Sequence, residues 1–182
     1  MEGLTIENAV ASASIAEELD LWEVHEALDD SEYDPDRFPG LIYKLEEPNT
    51  SQLLFRSGKL VCTGGVTPEE PQESMEKVKR HLNENGIETA DEVKAEIQNI
   101  VASYDLNVNL NLNTVAIALG LERVEYEPEQ FPGLVFRLQD SPVVLLLFGS
   151  GRMVCTGGKN EGHLREGVER VKDELRKADL LS

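Results

Sequence analysis

The residues of this chain that could do chemistry recur at matched positions in its two halves. Four phenylalanines, two asparagines and two threonines lie in paired sequence blocks. A Ser-His-Asp arrangement, a phosphate-binding glycine-rich loop and a metal-ligand cluster are all missing from the sequence. His25, His81 and His163 fall outside any ligand spacing. We therefore expect no enzyme, no cofactor and no bound metal, and a function based on binding through a surface.

The largest paired block runs from Phe38 to Gly65 and returns as Phe131 to Gly158. Aligned without a gap, 15 of the 28 positions are identical. Ordinary composition would give about one or two identities by chance. The chain is therefore an internal repeat, and the repeat determines its architecture.

Each block has the pattern of a three-stranded antiparallel sheet. In the first copy the predicted strands are Leu41–Leu45, Gln52–Phe55 and Lys59–Thr63. The Ser57-Gly58 pair, repeated as Ser150-Gly151, is a hairpin signal because glycine adopts the positive φ that a tight turn needs.

Alternation along these strands makes both faces of the sheet apolar. One face is predicted to carry Phe38, Ile42, Lys44, Leu53, Phe55, Lys59, Val61 and Thr63. The other is predicted to carry Leu41, Tyr43, Leu45, Leu54, Leu60 and Cys62. One face then needs helices, and the other suits a charged ligand with an apolar interior. A sheet buried on both sides is the alternative.

Helices and further strands flank the two blocks. The runs 6–13 and 97–104 are predicted strands, and Leu19–Leu28 and Leu110–Leu121 have helical spacing. Longer amphipathic helices are predicted from Pro68 to Asn85 and from Glu161 to Lys177. Their predicted core positions are Met75, Val78 and Leu82, then Leu164, Val168, Val171 and Leu175. Thr67-Pro68 is the predicted start of the first long helix and Gly86 its stop.

These elements predict an α+β fold of two tandem repeats, residues 1–91 and 92–182. Joining the repeats through their first strands would build one curved antiparallel sheet with helices on its outer side. We expect a single saddle with a pseudo-two-fold axis.

The charge of the chain is strongly acidic, with 35 acidic against 17 basic residues and a net charge of −18. Such a surface ordinarily argues against nucleic acid. It also keeps a protein hydrated in concentrated salt, where a Debye length of about 3 Å screens the self-repulsion. The hypothesis is a halophilic cell. With no apolar run of membrane-spanning length and no signal peptide, we expect a cytoplasmic protein and no membrane partner.

The paired motifs resemble those of the archaeal and eukaryotic TATA-binding protein family. The resemblance rests on the Phe-Pro-Gly, Leu-Phe, Ser-Gly-(Lys/Arg) and Val-Cys-Thr-Gly blocks and on the strands that contain Asn8 and Asn99. It runs from about Ile6 to Lys177. It implies a saddle whose concave sheet binds the minor groove of a TATA element and bends the DNA in transcription initiation, in a nucleoid-associated protein.

The resemblance assigns roles by position. Two phenylalanine pairs correspond to wedges that each unstack a base step: Phe38 with Phe55, and Phe131 with Phe148. The central pair of hydrogen-bond donors corresponds to Asn8 and Asn99. The apolar surface that faces the bases corresponds to Val10, Val61, Val101 and Val154. The side chains that contact base edges correspond to Thr63 and Thr156. Arg37, Lys44, Lys59, Arg137 and Arg152 correspond to cations that contact phosphates.

The acidic turn that precedes Phe131 is similar to the loop through which the family binds transcription factor B. Glu127 and Glu129 match its acidic pair, whereas Gln130 replaces the usual leucine. The resemblance implies recruitment of RNA polymerase into a pre-initiation complex, and it leaves open a homodimer of the free protein.

Other readings make different predictions. A protein-only interaction module would use the same apolar face and would not bend a TATA duplex. Lys77, Lys79 and Arg80 on the long helix form either a partner site or a solvated face. A DNA glycosylase that contains a similar saddle would need a further catalytic domain.

Overall fold

The computed structural model describes residues 3–181, which fold into ten β-strands and four α-helices. They form two compact units. The N-terminal unit is Asn8–Gln98, and the C-terminal unit consists of residues 99–181 together with residues 3–7.

The N-terminal unit is an antiparallel sheet with two helices. Its elements are the part of β1 (Thr5–Ser14) that begins at Asn8, then α1 (Leu21–Ala27), β2 (Ser31–Glu32), β3 (Leu41–Leu45), β4 (Thr50–Leu54), β5 (Lys59–Gly65) and α2 (Glu70–Glu84). The strand order is β2-β3-β4-β5-β1, with antiparallel neighbours. The predicted meander is therefore confirmed, and β1 pairs with its last strand.

The C-terminal unit repeats this arrangement. Its elements are the part of β6 (Glu96–Asp105) that begins at Asn99, then α3 (Leu112–Leu119), β7 (Val124–Glu125), β8 (Leu134–Arg137), β9 (Val144–Leu147), β10 (Arg152–Gly158) and α4 (Glu161–Lys177). The strand order is β6-β10-β9-β8-β7, again antiparallel. The α+β class and the two tandem repeats are confirmed.

Helices cover one face of each sheet. In the N-terminal unit Leu41, Leu54, Leu60 and Cys62 are fully buried in one cluster with Met75, Val78 and Leu82 of α2. The equivalent side chains of the C-terminal unit are also fully buried: Leu134, Leu145, Leu147, Met153, Cys155, Leu164, Val168, Val171 and Leu175. Burying each large aliphatic side chain stabilises the fold by about 1.5–3 kcal/mol. The predicted core positions of both long helices are confirmed.

Side-chain caps start three of the four helices in the described range. The Asp20 carboxylate accepts hydrogen bonds from the backbone N–H groups of Trp22 (3.1 Å) and Glu23 (3.3 Å) before α1. The Asn111 side chain does the same before α3, and the Asn160 side chain accepts from the His163 N–H before α4. Each cap satisfies backbone donors that a first helical turn leaves unpaired.

The predicted start of α2 is wrong. The helix begins at Glu70 rather than Pro68, and the Glu69 side chain makes no capping bond. A second proline, Pro71, lies in the first turn, where its missing N–H costs nothing. Residues 66–69 instead form the connection from β5, where the Glu70 carboxylate accepts from the Val66 N–H at 2.7 Å. Gly86 lies just beyond the helix with φ of 80°, as expected for a stop signal.

Both cysteines are free and fully buried beneath the helices. Burial raises the pKa of the Cys155 thiol to about 12, so this side chain is a neutral, protonated core residue. Among residues 3–181, no helix is both long enough and apolar enough to cross a membrane.

Candidate nucleic-acid interface

The phenylalanines form one ring pair in each unit. Phe38 and Phe55 have centroids 5.9 Å apart at an interplanar angle of 67°, and Phe131 and Phe148 repeat this at 5.9 Å and 69°. Phe131 is 40% exposed, and the other three rings are half-buried. Each pair therefore projects from the sheet face that its own unit leaves uncovered, and edge-to-face packing holds its two rings together.

A glycine beneath each pair makes room for the rings. A Cβ at Gly133 would lie 2.7 Å from a ring carbon of Phe131 and 2.9 Å from one of Phe148. At Gly40 the corresponding distances to Phe38 and Phe55 are 2.8 and 2.9 Å. Both glycines belong to the repeated Phe-Pro-Gly motif, and sequence reasoning did not assign them a role. The third position of the motif must be glycine because the rings occupy the space that any larger side chain would fill.

A row of small and apolar side chains crosses the uncovered face of each unit. In the N-terminal unit the strand register aligns Ile42, Leu53, Val61 and Ser12. In the C-terminal unit it aligns Val135, Leu146, Val154 and Ser103. Of these, Ser103 is buried and the others are half-buried. Leu53 and Leu146 were not among the predicted site residues, although period-two alternation places them on this face.

The two asparagines are anchored at β-bulges. In the β1–β5 ladder Ala9 pairs with Gly65 and Ala11 with Cys62, so one extra residue lies on β5. At this point the Asn8 side-chain oxygen accepts from the Gly64 N–H at 2.7 Å. Gly64 has φ of 100°, which favours glycine.

The second bulge repeats the first on β10. The Asn99 side-chain oxygen accepts from the Gly157 N–H at 2.8 Å, and Gly157 has φ of 93°. The Asn99 amide nitrogen also lies 3.1 Å from the Thr156 hydroxyl. Because the backbone N–H occupies each amide oxygen, the NH₂ group of each asparagine is oriented as a hydrogen-bond donor.

The remaining predicted base contacts lie beside these asparagines. Val10, Thr63, Val101 and Thr156 are half-buried on β1, β5, β6 and β10. Thr63 and Thr156 each directly precede a bulge glycine. The threonine, asparagine and valine positions of each unit therefore form one patch at the bulge. The ring pair lies at the other end of the same strand, where the N–H groups of Phe55 and Phe148 donate to the carbonyls of Lys59 and Arg152.

All five predicted phosphate-contacting cations are exposed, but two of them are already paired. Arg137 lies 3.6 Å from the Glu125 carboxylate, and Arg152 lies 3.5 Å from that of Glu7. The same Glu7 oxygen accepts from the Ser103 hydroxyl at 2.6 Å. Both ion pairs belong to the C-terminal unit, and such exposed pairs are worth about 0–1 kcal/mol. Arg37, Lys44 and Lys59 of the N-terminal unit are simply exposed.

The acidic turn before Phe131 is closed by backbone hydrogen bonds. The Glu127 carbonyl accepts from the N–H groups of Gln130 (2.9 Å) and Phe131 (3.0 Å). Glu127, Glu129 and Gln130 are all exposed. The turn thus presents two carboxylates directly beside the second ring pair.

Comparison with known proteins gives the family of this chain. The sequence profile of "Transcription factor TFIID (or TATA-binding protein, TBP)" matches residues 3–85 and 94–178. The TATA-box-binding protein of Thermoplasma acidophilum is 53% identical over 180 residues, covering 99% of this chain and 98% of the relative. That of Picrophilus torridus is 52% identical over 181 residues, covering 100% of this chain and 98% of the relative.

A solved structure agrees with the profile. Methanococcus jannaschii TBP superposes with a TM-score of 0.87 at 42% identity, covering 96% of this chain and 98% of that one. The fold and the uncovered apolar faces define a two-repeat α+β binding protein. The chain belongs to the TATA-binding protein family, a family of transcription factors rather than enzymes.

Proposed function

We propose that this protein is a general transcription initiation factor that binds a TATA element in the minor groove, with each unit contacting one half of the element. The observation that carries the proposal is the pair of half-exposed phenylalanine rings on the uncovered sheet face of each unit. Family membership supports the same function.

The ring pairs act as wedges in this proposal. Minor-groove proteins, this family among them, insert apolar side chains between base steps and kink the duplex. Unstacking costs a few kcal/mol per step, and the bend returns that energy by bringing more of the duplex into contact with protein. Flexible pyrimidine–purine steps such as TA lower the cost.

Preference for A·T pairs follows from the asparagine geometry and the apolar rows. In the minor groove an A·T pair presents only acceptors, whereas a G·C pair adds the guanine amino donor. The NH₂ groups of Asn8 and Asn99 suit acceptors, since their amide oxygens are held by backbone N–H groups. A guanine amino group would meet Val10, Val61, Val101 and Val154 and find no acceptor. Thr63 and Thr156 supply the adjoining base-edge contacts.

Phosphate contacts come from Arg37, Lys44, Lys59, Arg137 and Arg152. The two paired arginines would exchange a carboxylate for a phosphate on binding. Such exchange is cheap because exposed ion pairs are weak.

The exposed acidic turn is the proposed site for transcription factor B, through which RNA polymerase is recruited. Two adjacent carboxylates at Glu127 and Glu129 suit a basic patch on that partner. Gln130 offers an amide in place of an apolar contact, so the docking is mainly electrostatic. E127K/E129K should abolish the supershift by transcription factor B and leave binding to TATA DNA unchanged.

The net charge of −18 supports a halophilic cell as the source. An archaeal cytoplasm of high KCl, with the protein on the nucleoid, would account for an acidic surface on a DNA-binding protein. The rival function, a protein-only interaction module, would use the same face without DNA.

A gel-shift titration with TATA and GC-substituted duplexes at high KCl tests the proposal, combined with end-to-end energy transfer to measure bending. We expect a bent complex on the TATA duplex and at least tenfold weaker binding to the substituted one. Equal affinity for the two duplexes, or binding without a bend, would contradict the proposed function.

A further inference from the structure

The sole tryptophan of the chain is exposed on α1, whose buried residues pack in the same core cluster as α2. Trp22 lies on α1 and is 57% exposed. Its ring packs edge-to-face against Tyr33 at a centroid distance of 4.7 Å. Tyr33 itself is half-buried against the core, so Trp22 is the exposed member of the pair, and an exposed large apolar side chain is a feature of interaction surfaces.

A cavity of about 720 Å³ adjoins the aromatic pair. In the described part of the chain its lining contains three carboxylates, Glu17, Glu18 and Asp20, against the one guanidinium of Arg56. The lining therefore combines two aromatic rings with three carboxylates, a combination suited to a cation.

The surrounding chain is far more acidic than its counterpart in the second repeat. Ten of the 20 residues from Glu17 to Asp36 are acidic, and none is Lys or Arg. The equivalent segment 108–129 contains four acidic residues and Arg123.

The second repeat shows that the fold does not require these side chains. Asn113 occupies the position of Trp22, and Asn111 that of Asp20. The helices α1 and α3 nevertheless start with the same pair of capping hydrogen bonds, at 3.1 and 3.3 Å. Hydration in concentrated salt would account for extra carboxylates but not for an exposed tryptophan.

We propose that Trp22, Tyr33 and the carboxylates around them form a docking site for a Lys- or Arg-rich segment of a partner protein. Tryptophan is the aromatic side chain that binds cations best, and the carboxylates complement several positive charges at once. DNA does not fit this surface, because its phosphates would meet the carboxylates of Glu17, Glu18 and Asp20.

Because Trp22 is the only tryptophan, its fluorescence reports directly on the site. An octa-arginine peptide is titrated into the full chain at the lowest KCl concentration that keeps it folded by circular dichroism. We expect a saturable change in Trp22 emission. Anisotropy of the labelled peptide should then show about three- to tenfold weaker binding to W22N, the residue of the second repeat.

Two charge variants distinguish binding of the peptide at the Trp22 site from binding to the acidic surface in general. E17V/E18N carries the residues of the second repeat and should weaken peptide binding more than W22N does. E84Q/E88Q removes two carboxylates at and beyond the end of α2 and should change the affinity for the peptide less than twofold. All variants should bind TATA DNA as the parent does. A parent that gives no saturable signal, a W22N variant that binds the peptide equally well, or equal effects of the two charge variants would each overturn the proposal.

Discussion

At the residue scale, the proposed interface depends on the close packing of each phenylalanine pair against a glycine. The rings of Phe131 and Phe148 pack at 5.9 Å over Gly133, and those of Phe38 and Phe55 pack the same way over Gly40. Alternation along a strand predicts which face a phenylalanine occupies. It does not predict that two rings 17 positions apart touch each other, because that follows from the strand register.

Truncating one wedge should weaken DNA binding without unfolding the protein. For F148A we expect at least a tenfold loss of affinity for a TATA duplex and a smaller bend, since removing a central interface aromatic costs about 2 kcal/mol or more. The half-buried position of the ring predicts little change in thermal stability. Gel shift, energy transfer and thermal melting measure the three effects. I117A, which changes a side chain of α3 that is 71% exposed, is the control and should bind as the parent does.

Adding a methyl group at Gly133 should displace the rings. In G133A the new Cβ would lie 2.7 and 2.9 Å from the two ring edges, so both rings must move and the wedge loses its geometry. We expect a loss of affinity comparable to that of F148A. G149A is the matched control, because its Cβ would make only an ordinary contact of 3.6 Å. Normal TATA binding by G133A would show that ring placement does not matter.

At the element scale, the two sheets differ in one buried layer. In the N-terminal unit Thr50, Gln52 and Ser74 form a buried polar cluster between β4 and α2. The C-terminal unit has Val143, Leu145 and Gly167 at these positions. The Gln52 side-chain oxygen is buried without a hydrogen-bond partner in the described structure, and such a group costs about 1–3 kcal/mol.

Copying the second repeat at this position should therefore stabilise the protein. In Q52L the Thr50 hydroxyl keeps its 2.8 Å hydrogen bond to Ser74, while the unpartnered oxygen disappears. We expect the free energy of unfolding to rise by about 1 kcal/mol. Urea denaturation with a gel shift on TATA DNA tests this, because Gln52 lies beneath α2 and not on the uncovered face. If Q52L were less stable than the parent, the buried polar cluster would have a net stabilising effect on the fold.

At the scale of the whole molecule, the acidic surface and the proposed DNA contacts act against each other. Ordinary protein–DNA affinity falls with salt because bound cations are released from the phosphates. Here the carboxylates far outnumber the phosphate-contacting side chains, and at about 1 M salt their repulsion of DNA is screened within about 3 Å.

TATA affinity should therefore stay constant or rise as KCl increases from about 0.1 to 2 M, over the range where screening becomes nearly complete. The free energy of unfolding should rise over the same range, since the self-repulsion of the folded chain is screened as well. Gel shifts and thermal melts at each KCl concentration measure the two quantities. A steep fall in affinity, or a stability optimum near physiological salt, would count against the halophilic hypothesis.

Local sequence patterns were sufficient to predict the repeat, the face of the sheet that each strand residue occupies and the core positions of the long helices. Leu41, Leu54 and Leu60 are buried as alternation predicts, because period two leaves a strand residue only two directions. The start of α2 could not be obtained this way. Thr67-Pro68 and Pro71 offer competing start signals within a few residues, and the chain leaving β5 decides between them.

What the sequence alone determined is the identity and spacing of the residues proposed for the interface, since all the DNA-contact positions except Arg37 recur with the same chemistry in both copies. Only the tertiary structure decided that Asn8 and Asn99 present donors, because the bulge glycines that hold their oxygens lie on other strands. It also decided that Arg137 and Arg152 are paired with Glu125 and Glu7 while the N-terminal cations are exposed. Contacts between residues distant in the chain depend on strand register, and no local pattern encodes them.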